Sequence, residues 1–218
     1  MTQLVTLTAP RSPAAEAIRT LRTNLMYRSV EKPIQTLMIT APQQPSDKSE
    51  TAANLAVAFA QAGNHTILVD ADLRRPTQHT IWGIADNARG LTTMMIEDAA
   101  LATPPLQPAP GVDNLDLLLS GTPPPSPADL LASERMSEII GLLKARADYI
   151  VFDAPPVLVA TDAAALGNKL DGVLLVIRAG ETRREHALRA RQALERVNVN
   201  ILGATLTNAP KQRGQRYE

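Results

Sequence analysis

The chain has no cysteine. Disulfides and thiolate metal sites are thereby excluded, which fits a cytoplasmic protein. It also has no net charge. Its 22 basic side chains balance 22 acidic ones, so the surface as a whole offers no electrostatic case for nucleic acid or membrane. No apolar run approaches the length of a membrane span, and the N-terminus lacks a signal-peptide pattern. No internal repeat is visible. What is present is a 44% hydrophobic content over 218 residues, enough for one large α/β domain with a sizeable core. The 17 prolines cluster at 104–110 and 123–127, and both stretches read as loops.

Strand-like and helix-like segments alternate along the chain. Apolar runs at 34–40, 65–70, 114–119, 149–153, 172–177 and 200–207 read as buried strands. Helices are expected at about 13–29, 52–62, 128–146, 162–170 and 182–197. Ser12 and Pro13 start the first of these as N-cap and first helical residue. Ile18, Leu21, Leu25 and Met26 give it an apolar face, and Gly63 closes the second helix as its C-cap. Residues 1–12 read as extended and mobile. Residues 77–112 read as short helices packing Trp82, Leu91, Met94, Met95 and Ile96 on the sheet. The alternation predicts a doubly wound, mostly parallel sheet in one domain over 1–210, with a flexible tail at 211–218.

Three strand ends carry residues suited to phosphate or metal. Lys48-Ser49 closes a loop between a strand and a helix, the layout of a P-loop, with phosphates expected at the helix N-terminus. Asp70 and Asp72 follow the second strand, where open α/β sheets place ligands. They read either as metal or water ligands, or as turn-capping acids paired with Arg74 or Arg75. Asp153 ends a strand of Walker B form, with a carboxylate to hold Mg²⁺ directly or through water. The three together, in this order, predict a fold of P-loop NTPase type. Separately, Glu16, Arg19 and Arg22 form an i, i+3, i+6 stripe, which spacing alone assigns to a solvated face.

The loop departs from the P-loop pattern. Asp47 stands where glycine precedes the lysine, and glycine allows conformations that a Cβ resists. Two unit charges ~4 Å apart interact by about 4 kcal/mol at an effective dielectric of 20, so an acid here opposes a polyphosphate. Pro45 removes one N–H from the cradle, and Glu50 adds a second acid in the first helical turn. Without ligand both acids suit the helix dipole, and a pairing of Asp47 with Lys48 is the expected contact.

On these segments the chain resembles the bacterial tyrosine kinases of capsule and exopolysaccharide export, within the MinD/ParA-like class of P-loop proteins. The matching stretches are EAIRTLRTNL (16–25), TAANLAVAFAQAG (51–63), LVDADLRRP (68–76), SGTPPPSPADLLAS (120–133), IVFDAPPV (150–157) and GVLLVIRAGETRRE (172–185). The resemblance implies protein-tyrosine kinase activity with ATP and Mg²⁺. It implies Lys48 on the phosphates, Ser49 on Mg²⁺, and Asp70 as base or water-binding acid. Asp72 and Asp153 would position Mg²⁺, and Asn208 would lie near the adenine. Glu16, Arg19 and Arg22 match the family's E-x-x-R-x-x-R oligomerisation motif, which turns the stripe into an interface between copies or with a paralogue. A transmembrane polysaccharide chain-length adaptor is the implied partner, holding a cytoplasmic chain at the inner face of the membrane. The family's C-terminal tyrosine cluster is reduced here to Tyr217, a candidate phosphorylation site. The altered loop makes the expected function that of a weak kinase or pseudokinase. An active kinase, a non-catalytic scaffold and a partition-type ATPase switch are the alternatives. The last usually carries an early loop lysine, and Ala41-Pro42-Gln43-Gln44 has none.

Overall fold

The computed structural model describes residues 4–28 and 33–209. Seven strands form one sheet: β1 (Thr36–Thr40), β2 (Thr66–Asp70), β3 (Gln107–Pro108), β4 (Leu115–Leu118), β5 (Tyr149–Asp153), β6 (Gly172–Arg178) and β7 (Ile201–Thr207). Their order is β3-β4-β2-β5-β1-β6-β7. Every pairing is parallel except that of β3 with β4. The expected doubly wound, mostly parallel sheet is therefore the observed one. Only the two-residue β3, between prolines, escaped the sequence pattern.

All five residues of β1 and all five of β2 are buried, as strands covered on both faces must be. Alternate residues feed two cores. Leu37 and Ile39 join Leu68, Val151, Leu174 and Val176 beneath α2 (Pro13–Arg28), α3 (Lys48–Gln61) and α4 (Gln78–Trp82). Met38 joins Ile67, Val69, Phe152 and Leu175 on the other side. There they pack against α5 (Leu91–Ile96), α8 (Glu134–Lys144), α9 (Asp162–Gly167) and α10 (Arg184–Glu195). Helix α3 is alanine-rich, and every residue from Thr51 to Ala60 is buried. Its small side chains let it lie close on the sheet, and that fixes where its N-terminus points. Among the described residues no helix is long and apolar enough to cross a membrane.

Several boundaries differ from expectation, each for a local reason. Residues 5–8 form a short helix, α1 (Val5–Thr8), within the stretch expected to be extended. Thr6 is buried, and both its N–H and its hydroxyl donate to Asn54 Oδ1 of α3. The helix expected over 128–146 is two, α7 (Pro127–Ala132) and α8, because Ser133 turns to extended backbone. Its hydroxyl oxygen then accepts the Met136 N–H as the cap of α8. Strand β1 starts at Thr36, not Ile34, because the Asp171 carboxylate takes the N–H groups of Gln35 and Thr36. Helix α3 begins four residues earlier than expected, at Lys48, and its C-cap is Ala62, with Gly63 just beyond at φ 87°. Trp82, Leu91, Met94 and Met95 are buried as expected, but Ile96 is 75% exposed at the end of α5. Remaining helix α6 (Ala99–Ala102) is a single turn. The expected tail 211–218, with Tyr217, lies outside the described residues.

Candidate functional site

Strands β1, β2 and β5 are adjacent through β5, and their C-terminal ends converge. Asp70 and Asp153 are register partners across β2 and β5. The chain after β5 is tied to the loop after β1. Ala154 N–H donates to Ile39 O, Val157 N–H to Ala41 O, and the Thr40 hydroxyl to Pro155 O. That lacing brings the start of α3 against the acids.

The Lys48 ammonium is buried, with 2% exposure. Its Nζ lies 2.8 Å from Asp72 Oδ2, 2.9 Å from Asp153 Oδ1 and 3.1 Å from Ser49 Oγ. Burial alone would push the Lys48 pKa down. The charges of Asp153 and Asp72 outweigh it and hold the lysine protonated, above its ordinary value. Gln78 closes the cluster from α4. Its side-chain amide donates to Asp153 Oδ2 at 2.8 Å and to Ser49 O at 3.1 Å.

Asp70 is the odd member. Its Oδ2 accepts the N–H groups of Thr77 and Gln78 at 3.0 and 2.9 Å. Its Oδ1 is buried with no hydrogen-bond partner. Burial, then the charge of Asp153, pushes the Asp70 pKa well above the ordinary carboxylate value. Three buried carboxylates thus face a single ammonium. These oxygen donors, one atom unsatisfied, are of the type a hard divalent cation takes. As they stand, no three carboxylates or imidazoles among the described residues converge on one metal position, and Lys48 Nζ lies between Asp72 and Asp153.

The turn reading of Asp72 holds in part, since its Oδ1 also accepts the Arg75 N–H. Arg74 instead makes a two-pronged ion pair with the buried Asp162 of α9, at 2.8 and 2.9 Å.

Two expectations about the loop are corrected. Asp47 does not pair with Lys48. Its Oδ1 faces Arg178 Nη1 at the end of β6, at 3.6 Å, while Lys48 is turned inward to Asp72 and Asp153. Nor does its backbone need a glycine. Asp47 has φ −100° and ψ 23°, open to any residue, and its carbonyl accepts both the N–H and the hydroxyl of Thr51. The conformational part of the glycine argument therefore falls, and Arg178 offsets part of the Asp47 charge. Glu50 is exposed on the first turn of α3, and Pro45 is exposed in the loop.

The structure brings together Lys48, Ser49, Asp70, Asp72 and Asp153 from three separate motifs. Asn208 sits apart, after β7 at φ 52°, donating to Ala179 O at 3.3 Å. Glu16, Arg19 and Arg22 lie on α2. Arg19 pairs with Glu16 at 2.7 Å and donates to Pro10 O. Arg22, half-buried like Arg19, donates to Ala58 O of α3. Gln78, Arg178 and Asp162 were missed as site residues. Arg178 and Asp162 had no partner within reach along the sequence, and Gln78 follows the Asp70 motif without a spacing signal of its own. A cavity of about 520 Å³ lined by His65, Asp113 and Asp116 opens at the opposite, N-terminal ends of β2 and β4.

No protein-family model matches the chain. It is 39% identical over 214 residues to the tyrosine-protein kinase YwqD of Bacillus subtilis, covering 98% of this chain and 89% of that protein. Its structure is similar to that of the kinase domain of the Escherichia coli tyrosine kinase ETK, with TM-score 0.88 and 30% identity over 99% of this chain and 84% of that one. In fold alone it is also similar to the Pyrococcus furiosus cell division ATPase MinD, with TM-score 0.66 and 23% identity over 79% and 71% of the two chains.

Proposed function

Because the chain belongs to the family of bacterial tyrosine-protein kinases, we propose that it is an ATP-dependent protein-tyrosine kinase with weakened nucleotide affinity, acting in capsular or extracellular polysaccharide production. The observation that carries this reading is the buried triad of Lys48, Asp72 and Asp153 with Asp70 beside it. A chain that had lost phosphoryl transfer would have no need to keep two buried acids on one lysine and a third beside them. A buried ion pair is weak evidence of stability and costs desolvation.

In this reading Lys48 turns from the acids to the phosphates and neutralises charge as the γ-phosphoryl group moves. Ser49, Asp72 and Asp153 would hold Mg²⁺, which screens the phosphates and stabilises the transferring group. The tyrosine hydroxyl attacks the γ-phosphorus, the bond to the leaving ADP oxygen breaks, and Asp70 Oδ1 takes the hydroxyl proton. The unpartnered Asp70 Oδ1 is free to accept that proton. Asn208 is assigned to the adenine. Affinity is weakened because Asp47, Pro45 and Glu50 reduce the positive field and the donors at the start of α3. It is retained because Arg178 offsets Asp47.

Titration with a fluorescent ATP analogue and Mg²⁺ tests the reading. Saturable binding is expected for the parent, about tenfold tighter for Asp47→Gly as one partly screened charge is removed. It is expected to vanish in Lys48→Met. Binding that appears only in Asp47→Gly would make the chain a pseudokinase. No binding in either would end the nucleotide reading.

The kinase unit in this reading spans 1–210, and the tail 211–218 offers Tyr217 for phosphorylation. Copies of the chain, or a paralogue, assemble through Glu16, Arg19 and Arg22, with a transmembrane polysaccharide adaptor as the membrane partner of a cytoplasmic protein. An Arg19→Ala, Arg22→Ala double variant is expected to run at lower mass in light scattering. Arg22→Ala alone serves as control, because loss of its bond to Ala58 O loosens α2 from α3. Identical masses for parent and double variant would remove the interface.

A further inference from the structure

The altered loop has lost one N–H at Pro45 and gained a negative charge at Asp47. Arg178 stands where a replacement donor is needed. Leu174 and Val176 of β6 belong to the core beneath α3, and Arg178, two residues further, continues onto the same face. This carries its guanidinium to Asp47 at the start of α3. The separation of 3.6 Å between Nη1 and Oδ1 is too long for a hydrogen bond. The charges face each other, but the planar set of guanidinium donors is not used up on Asp47.

Arg178 Nε is buried and has no hydrogen-bond partner. Two more buried polar atoms without partners belong to its register neighbour and to the loop it faces. One is Ser46 Oγ, next to Asp47 in the chain. The other is Thr207 Oγ1, whose residue is the register partner of Arg178 across β6 and β7. Buried polar groups are ordinarily paired, so two unpaired ones at the paired ends of β6 and β7, and a third beside Asp47, mark a place that a polar ligand completes. Asn208, assigned above to the adenine, follows Thr207 directly. Lys48 opens the neighbouring helix. Arg178 is tied to both neighbourhoods, to Thr207 by strand register and to the start of α3 by facing Asp47.

We propose that Arg178 is a nucleotide-binding residue, donating to the phosphate chain of a nucleoside triphosphate while its charge still offsets Asp47. The proposal rests on the reading of this site as a nucleotide site. A guanidinium suits the task because its planar donors match phosphate oxygens two at a time, which an ammonium cannot do.

Calorimetric titration with ATP, ADP and adenosine in the presence of Mg²⁺ tests it, on Arg178→Ala and Arg178→Lys in both the parent and the Asp47→Gly background. Arg178→Ala is expected to weaken ATP roughly ten- to a hundredfold, the size of a lost hydrogen bond to a charged group, and to do so in both backgrounds. Adenosine affinity is expected to change little, and Arg178→Lys to recover only part of the loss. A loss for ATP that disappears in the Asp47→Gly background would overturn the proposal, since Arg178 would then only screen Asp47. An equal loss for adenosine would overturn it as well. A folded parent that binds ATP normally with Arg178→Ala overturns it and leaves the nucleotide reading standing. A folded parent and Asp47→Gly variant that bind no nucleotide at all overturn both. Thermal melts of each variant separate lost contacts from lost folding, and the conservative lysine change supplies the comparison if the alanine variant is unstable.

Discussion

Asp70→Asn is expected to make the protein more stable and the phosphoryl transfer proposed for it slower by about two to four powers of ten. The two effects have one origin. Asp70 Oδ2 is well satisfied, but Oδ1 is buried, unpartnered, and in the field of Asp153. Asparagine keeps the carbonyl oxygen for the Thr77 and Gln78 N–H groups. It places an NH₂, a donor, where an orphan acceptor stood among carboxylates. A gain of about 0.5–2 kcal/mol at neutral pH is expected, of the size found when an active-site compromise is relieved. The pH dependence fixes the cause. A carboxyl whose folded pKa is raised above its unfolded value contributes stability fully below that unfolded value, 3.8 here, and loses it as pH rises through the folded value. The asparagine variant has no such loss. The gap between variant and parent should therefore be negligible near pH 4 and widen as the pH is raised. Urea unfolding at several pH values measures it. A gap that does not change with pH, or a variant less stable than the parent at pH 7, would show that Asp70 carries no such burden.

The acids and the lysine could be read in advance because each belongs to a short local pattern: an apolar strand followed at once by the functional side chain. Burial of a parallel strand on both faces writes a run such as TILVD, and the sheet then delivers its C-terminal residue to a shared edge. Nothing local announces contacts made at long range. Asp47 and Arg178 are 131 residues apart (178 − 47), and only the β1–β6 pairing places the end of β6 beside the loop. The sequence shows an acid in a phosphate loop; the fold adds that this acid has a cation opposite it and an unstrained backbone. The short helix α1 is the same case. Four residues have little helical preference of their own, and what fixes them is Thr6 reaching Asn54. Arg22 shows the reverse error. Its spacing assigns it to the exposed stripe, yet its guanidinium donates to the Ala58 carbonyl of α3 and is drawn inward.

Lys48→Met is expected to destabilise the protein by about 3–5 kcal/mol, the usual result of removing one partner of a buried ion pair. Two carboxylates, Asp72 and Asp153, lose the ammonium between them, and both are nearly inaccessible to water. Asp153 keeps the Gln78 amide and Asp72 keeps the Arg75 N–H, so neither is left bare. For a chain of this length a loss of that size corresponds to roughly 10 °C in Tm. One further measurement tests the electrostatic origin. Added Mg²⁺ should raise the Tm of the variant more than that of the parent, because a cation can now enter where the ammonium was. A variant as stable as the parent at pH 7 would mean that the triad is not formed in solution. The same reasoning governs the use of Lys48→Met as a nucleotide-free control. Its failure to bind ATP is informative only well below its lowered Tm, where the remaining acids are still held in place.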